Sequence, residues 1–183
     1  MARKKSKPAP LSDWKGFYEK LQSETPRAAV IIAAAFMDGW LRQLIANFMV
    51  DDTKAIDDLL GTEDNSDCPL SSFSARIKAA YCLGLISKDE HDDLNTIRRI
   101  RNRFAHRMHD LSFDDEEIVS WCNSLQIPKK IISALTDFPK SHGPMFLVGV
   151  TMLTSRLALR ALETKRYKRT VPKGFELAQV VKV

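Results

Sequence analysis

Between Pro26 and Met49 the chain carries apolar side chains on almost every side of a helix: Ala28 through Ala35, then Phe36, Trp40, Leu41, Leu44, Ile45 and Phe48. A helix that is apolar all round cannot face water along most of its length, so other helices of its own chain or a second subunit must surround it. Thr25 and Pro26 supply the cap and first-turn pair that open it. Ala33, Ala34 and Ala35 let a neighbouring backbone come close. Whatever else the chain does, it has to fold around this segment.

The material to surround it is helical too. With 183 residues the chain can bury a sizeable core in one domain, and seven glycines and eight prolines are too few for a turn-rich sheet. The expected fold is all-α: a single-domain bundle of about seven helices over residues 11–165, flanked by a disordered basic arm (1–10) and a basic C-terminal tail (166–183). Ser12 caps a first helix bearing Trp14, Phe17, Tyr18 and Leu21. The acidic stretch 51–67 holds a short helix from about Ala55 to Leu60, ended by Gly61. A helix from Ser71 or Ser72 places Phe73, Ile77, Ala80, Tyr81 and Leu85 on one stripe, with Gly84 as its stop. Ser112 and the acids Asp114 to Glu117 open another helix, with Ile118, Trp121, Cys122 and Leu125 inward. Pro128 starts a short helix to about Thr136, residues 139–144 read as a loop, and Met145 to Thr164 forms a last long apolar helix.

The longest uninterrupted apolar run, Ala28 to Met37, is ten residues, short of the roughly 18 to 20 that a membrane span needs, so no membrane association is expected. Arg3, Lys4, Lys5 and Lys7 are followed by no apolar stretch of the kind a secretory signal has, and a cytoplasmic location is expected. Cys68, Cys82 and Cys122 are odd in number and show no C-x-x-C pairing, which fits a reducing compartment, packing roles and no zinc site. The acidic stretch lacks the residue order of a calcium loop. No metal or other cofactor is expected. The net charge of +5 and pI near 9.2 permit contact with nucleic acid.

That charge concentrates in Arg98-Arg99-Ile100-Arg101-Asn102-Arg103-Phe104-Ala105-His106-Arg107, on a helix whose start is fixed by the capping box Ser87-Lys88-Asp89-Glu90. Leu94, Ile97, Ile100, Phe104 and Ala105 make its apolar stripe, and Arg101 falls inside that stripe. A guanidinium there needs an acid, a subunit interface or a phosphate-accepting cleft. Asn102 and His106 are one turn apart and can touch, whereas Arg101 and His106 lie about 140° apart, so convergence requires a distorted last turn or two copies crossing at a dimer cleft. In such a cleft the arginines would hold an RNA phosphate and His106 would serve as acid or base, without metal. The competing expectation is a hydrogen-bond network that joins helices. Phosphate contacts are expected from Arg98, Arg99, Arg103, Arg107, Lys165, Arg166, Lys168 and Arg169. Helix, Gly84, helix has a helix-turn-helix outline, but Asp89, Glu90, Asp92 and Asp93 would meet phosphates at the wrong end of the second helix.

Two resemblances bear on these residues. The run Cys68-Pro69-Leu70-x-x-Phe73-Ser74-x-Arg76-Ile77-Lys78-x-x-Tyr81-x-Leu83-Gly84-Leu85-Ile86, the Arg101 to His106 segment and Phe113-x-Asp115-x-Glu117-Ile118 together resemble the mannitol-operon-repressor family over roughly residues 26–165. That resemblance implies an all-helical transcriptional regulator without a recognised DNA-binding domain, and the expected role is regulation through a protein or nucleic-acid partner. A homodimer is expected, and the apolar segments 28–48 and 145–164 are the candidates for its face. Arg101-Asn102-x-x-x-His106 is also similar to the signature of HEPN domains, many of which are metal-independent ribonucleases of toxin or defence systems. By that likeness Arg101 and His106 would be catalytic and Asn102 supporting.

Overall fold

The computed structural model describes residues 14–62, 67–107, 111–132, 141–164 and 169–170. They form eight helices: α1 (Trp14–Gln22), α2 (Pro26–Phe48), α3 (Thr53–Leu60), α4 (Phe73–Cys82), α5 (Lys88–His106), α6 (Glu116–Ser124), α7 (Gln126–Ile132) and α8 (His142–Thr164). Among the described residues the one β-type contact is an isolated bridge between Val50 and Arg169. The fold is all-α. The basic arm 1–10 and all of the C-terminal tail except Arg169 and Thr170 lie outside the described residues.

α2 is the centre of the bundle, packing most heavily on α8 and also touching α1, α3, α4 and α5. Val30, Ala33, Met37, Leu41, Leu44 and Ile45 are almost completely buried, as the all-round apolar pattern requires. Asn47 Nδ2 near the end of α2 donates to Ala161 O near the end of α8 at 2.8 Å. At the other end, Arg27 donates to the carbonyl of Arg107, the cap of α5. Phe113 bridges Phe104 of α5 and Phe146 of α8, with ring centroids 5.7 and 5.3 Å away. So α2 and α8 run in the same direction and α5 runs against both.

Two helices, Pro26–Phe48 and His142–Thr164, are long and apolar enough to cross a membrane by length and composition, although no unbroken apolar run reaches that length. They are the two that pack at the centre of the bundle, and half or more of each apolar window is buried against the rest of the chain. A core helix satisfies the same test as a membrane span.

The helix starts show where local sequence governs and where it does not. Thr25, Asp52, Ser72 and Ser87 each accept a bond from the backbone N–H three residues on, and Glu90 completes the capping box at Ser87. Gly84 follows α4 at φ 68°, a conformation that an L side chain resists. Three boundaries differ from expectation. α6 starts at Glu116 rather than Ser112, because the Asp115 carboxylate takes the Ser112 N–H and holds residues 112–115 in a turn. α7 starts at Gln126, two residues before Pro128, because Asp93 of α5 accepts the Gln126 and Ile127 N–H groups at 2.8 Å each. α8 starts at His142, so Pro144 sits in its first turn, where a missing N–H costs nothing. Beside it, Gly149 leaves room for Pro128; a Cβ there would meet the proline ring at 2.5 Å.

Two side chains expected in the core are elsewhere. Tyr81 is 40% exposed, its ring lying against His91 at 4.6 Å. Of the cysteines only Cys122 is buried, which pushes its thiol up to about 12; Cys82 is exposed, on the outer side of the last turn of α4.

Candidate functional site

α5 carries charge at both ends, and the fold treats the ends differently. At the N-terminal end Glu90 is 1% exposed. Its carboxylate accepts the Ser87 N–H at 2.7 Å, Arg156 Nε at 2.8 Å, and Arg160 Nη1 and Nη2 at 2.9 and 3.2 Å. Burial alone would raise the pKa of such a group; the bonds from Arg160, the Ser87 amide and Arg156 outweigh it and hold Glu90 down to about 2. Asp93, also 1% exposed, caps α7. Its burial pushes the pKa up, and the two amides from α7 offset only part of that. Neither acid is legible from its neighbours as a buried group, because apart from Ser87 their partners lie 33 to 70 residues away.

The C-terminal end is open. Arg99, Asn102, Arg103, His106 and Arg107 of α5 and its cap form one side of a cleft of about 350 Å³, and Glu117 and Trp121 of α6 form the other. The pairing across it is antiparallel. Arg99 stacks its guanidinium 4.7 Å above the Trp121 ring. One turn on, Arg103 Nε lies 2.7 Å from Glu117 Oε2, an ion pair not aligned as a hydrogen bond. Among the α6 acids, Glu117 thus offsets the charge of Arg103. Arg99, His106 and Arg107 are exposed.

Arg101 is not part of this cleft. It is half-buried, and its Nη1 donates to Asn102 Oδ1 at 2.9 Å. The apolar stripe continues through Leu94, Ile97, Ile100 and Phe104, all fully buried, but Ala105 is exposed. The last residues of α5, 105 to 107, stand outside the core, so the surface next to Arg101 is wetter than the helical spacing suggests. Arg98 is half-buried, with its Nε enclosed and no hydrogen-bond partner among the described residues. Within one chain, therefore, Asn102 and His106 share a cleft with three arginines, and Arg101 is kept out of it.

Of the second expected basic region, Arg169 is described and lies away from the first. Arg169 pairs with Val50 and places its guanidinium 4.0 Å over Phe48, at the far end of α2, about 34 Å from its start for a helix of 23 residues. Lys165, Arg166 and Lys168 lie outside the described residues.

A protein-family model described as the mannitol repressor, MtlR, matches residues 15–178. The chain belongs to the mannitol repressor family. Two curated mannitol operon repressors of Escherichia coli, from strains K12 and O6:H1, are each 26% identical to it over 96 residues, 52% of this chain. The chain spans about half the length of these relatives, 49% in each case. Among solved structures, an E. coli MtlR–HPr complex matches with a TM-score of 0.62 at 21% identity, over 79% of this chain and 98% of that one. A possible transcriptional regulator, YggD, from Shigella flexneri matches with a TM-score of 0.59 at 13% identity, over 84% of this chain and 99% of that one. At these identities the structural likeness establishes the mannitol repressor fold.

Proposed function

We propose that this mannitol repressor family member is a regulatory protein that acts through a protein partner rather than by reading DNA with one of its own helices. The observation that carries the reading is the state of the α5 N-terminus. α4, the turn at Gly84 and α5 have the outline of a helix-turn-helix, and a reading helix must offer its first residues to base edges. Here Glu90 and Asp93 are committed to bonds inside the fold. The half-exposed residues between and before them, Asp92 and Asp89, are acids that phosphates repel. Family membership supports the regulatory role, and the E. coli relative crystallised as an MtlR–HPr complex supports a protein partner of that kind.

The reading includes a homodimer. α8 leaves Met152, Leu159 and Leu162 between 44% and 52% exposed, spaced seven and three residues apart along one face, whereas Ile31, at 40%, is the large apolar residue of α2 most open to water. α8 is the face proposed for the second copy. Isothermal titration of the full chain with HPr tests the partner, a gel-shift with DNA from the regulated promoter tests direct reading, and light scattering reports the oligomeric state. A saturable complex with HPr and no sequence-specific DNA complex is the expected pair of results. A sequence-specific complex formed by this chain alone would overturn the reading.

A further inference from the structure

We infer that the cleft between α5 and α6 is a binding site for a single phosphomonoester group, independent of the protein-partner reading above. Three observations on its walls lead there. Arg99 is held over the Trp121 ring at 4.7 Å, and its N–H groups, which make no hydrogen bond or ion pair to a described residue, are left for the paired oxygens of a phosphate. His106 and Arg107 stand exposed on the same cleft, likewise without an ionic partner among the described residues. The cleft lies where the negative end of the α5 dipole would repel an anion, but the Arg107 carbonyl there is taken by the Arg27 guanidinium. That brings a further cation to the same end of α5.

The surrounding charge decides which anion fits. The cleft is an open groove of about 350 Å³, with room for a phosphoryl group and a short organic portion. A polyanion fits poorly. Glu117 already occupies Arg103, and Asp114 and Glu116 are exposed at the start of α6, so the next phosphates along a nucleic-acid backbone would meet carboxylates. The second basic position, Arg169, is at the opposite end of α2. One dianionic group, held between Arg99 and Arg107 with Asn102 beside it, matches what the cleft offers. The same chemistry is found on a small phosphorylated metabolite and on a phosphorylated side chain of a protein.

The test follows the Trp121 indole N–H by NMR, assigned with Trp121→Phe, in the full chain at fixed ionic strength. The probes are glycerol 3-phosphate, a phosphoserine peptide with its unphosphorylated twin, and a single-stranded RNA oligonucleotide. The expected result is a saturable shift with at least one phosphomonoester, absent with chloride and with the unphosphorylated peptide. Binding should weaken about tenfold or more in Arg99→Gln/Arg107→Gln and stay unchanged in Lys129→Gln on α7. Saturation by glycerol 3-phosphate assigns a metabolite source, and by the phosphopeptide alone a protein source. No saturable shift with either, an equal shift in the double variant, or tighter binding of the RNA through the same residues would overturn the inference.

Discussion

Both ends of α5 are densely charged, the first acidic and the last basic, and they end in opposite states. At the N-terminus Glu90 is enclosed by four donor groups from two elements, and Asp93 is spent on the first two amides of α7. At the C-terminus five arginines and a histidine within ten residues find one acid, Glu117, one aromatic face, Trp121, and one side-chain amide, Asn102. The buried charges are structural because leaving them unpaired would cost several kcal/mol. The exposed ones cost little, since water solvates them, so their arrangement is free to serve binding. Charge density alone does not identify a functional site; the presence of unspent donors does.

Breaking the N-terminal end should have the largest effect. Glu90→Gln keeps the shape but removes the carboxylate that Arg156 and Arg160 address. Because both arginines can turn partly to water, a loss of about 3 kcal/mol in urea unfolding is expected, at the lower end for a broken buried pair. The pH dependence gives a second reading. With its folded pKa held near 2 against an ordinary 4.5, Glu90 stabilises the fold fully above pH 4.5, and that contribution disappears as pH falls toward 2. The variant should therefore be much less stable than the parent at pH 7 and approach it near pH 2. Parallel curves would mean that Glu90 is not the group being titrated.

A smaller loss is expected where Asp93 caps α7. Asp93→Ala removes the acceptor for the Gln126 and Ile127 amides and should cost about 1 to 2 kcal/mol. The cost is moderated because the folded state already raises the pKa of this buried carboxylate. Hydrogen exchange should speed up in 126–132 and leave the start of α5 protected. Uniform loosening would instead place Asp93 in the same cooperative network as Glu90.

These two acids also mark the limit of what the sequence carries. Ser87 with Glu90, Thr25 with Pro26, and the glycines Gly61 and Gly84 were readable because a cap is a bond across three residues. The all-round apolar pattern of α2 correctly made it the centre. The start of α7 was not readable, since its cap comes from residue 93, and Pro128 seemed the natural first position. Glu90 was legible as half of a capping box but not as the buried partner of α8. At the other end, helical spacing put Arg101 and Ala105 on the buried side. Phe104 is still fully buried, but Ala105 and His106 after it stand in water, and spacing along a helix says nothing about where its neighbours stop.

The least effect on stability is expected at the open end. His106→Ala should change unfolding by less than about 0.5 kcal/mol, as is usual for solvated surface positions, and Arg101→Ala, which also loses the half-buried bond to Asn102, by about 1 kcal/mol. The same variants address the likeness to HEPN ribonucleases. Arg101 is tied to Asn102 at 2.9 Å and is not among the residues lining the cleft that holds His106, so the expected outcome for one chain alone is no cleavage. RNA incubated with the full chain in EDTA should stay intact with the parent and both variants alike. Cleavage that either variant abolishes would show that Arg101 reaches a His106 cleft after all. It would have to come from a second copy, because the α5 helix itself keeps the two side chains about 140° apart.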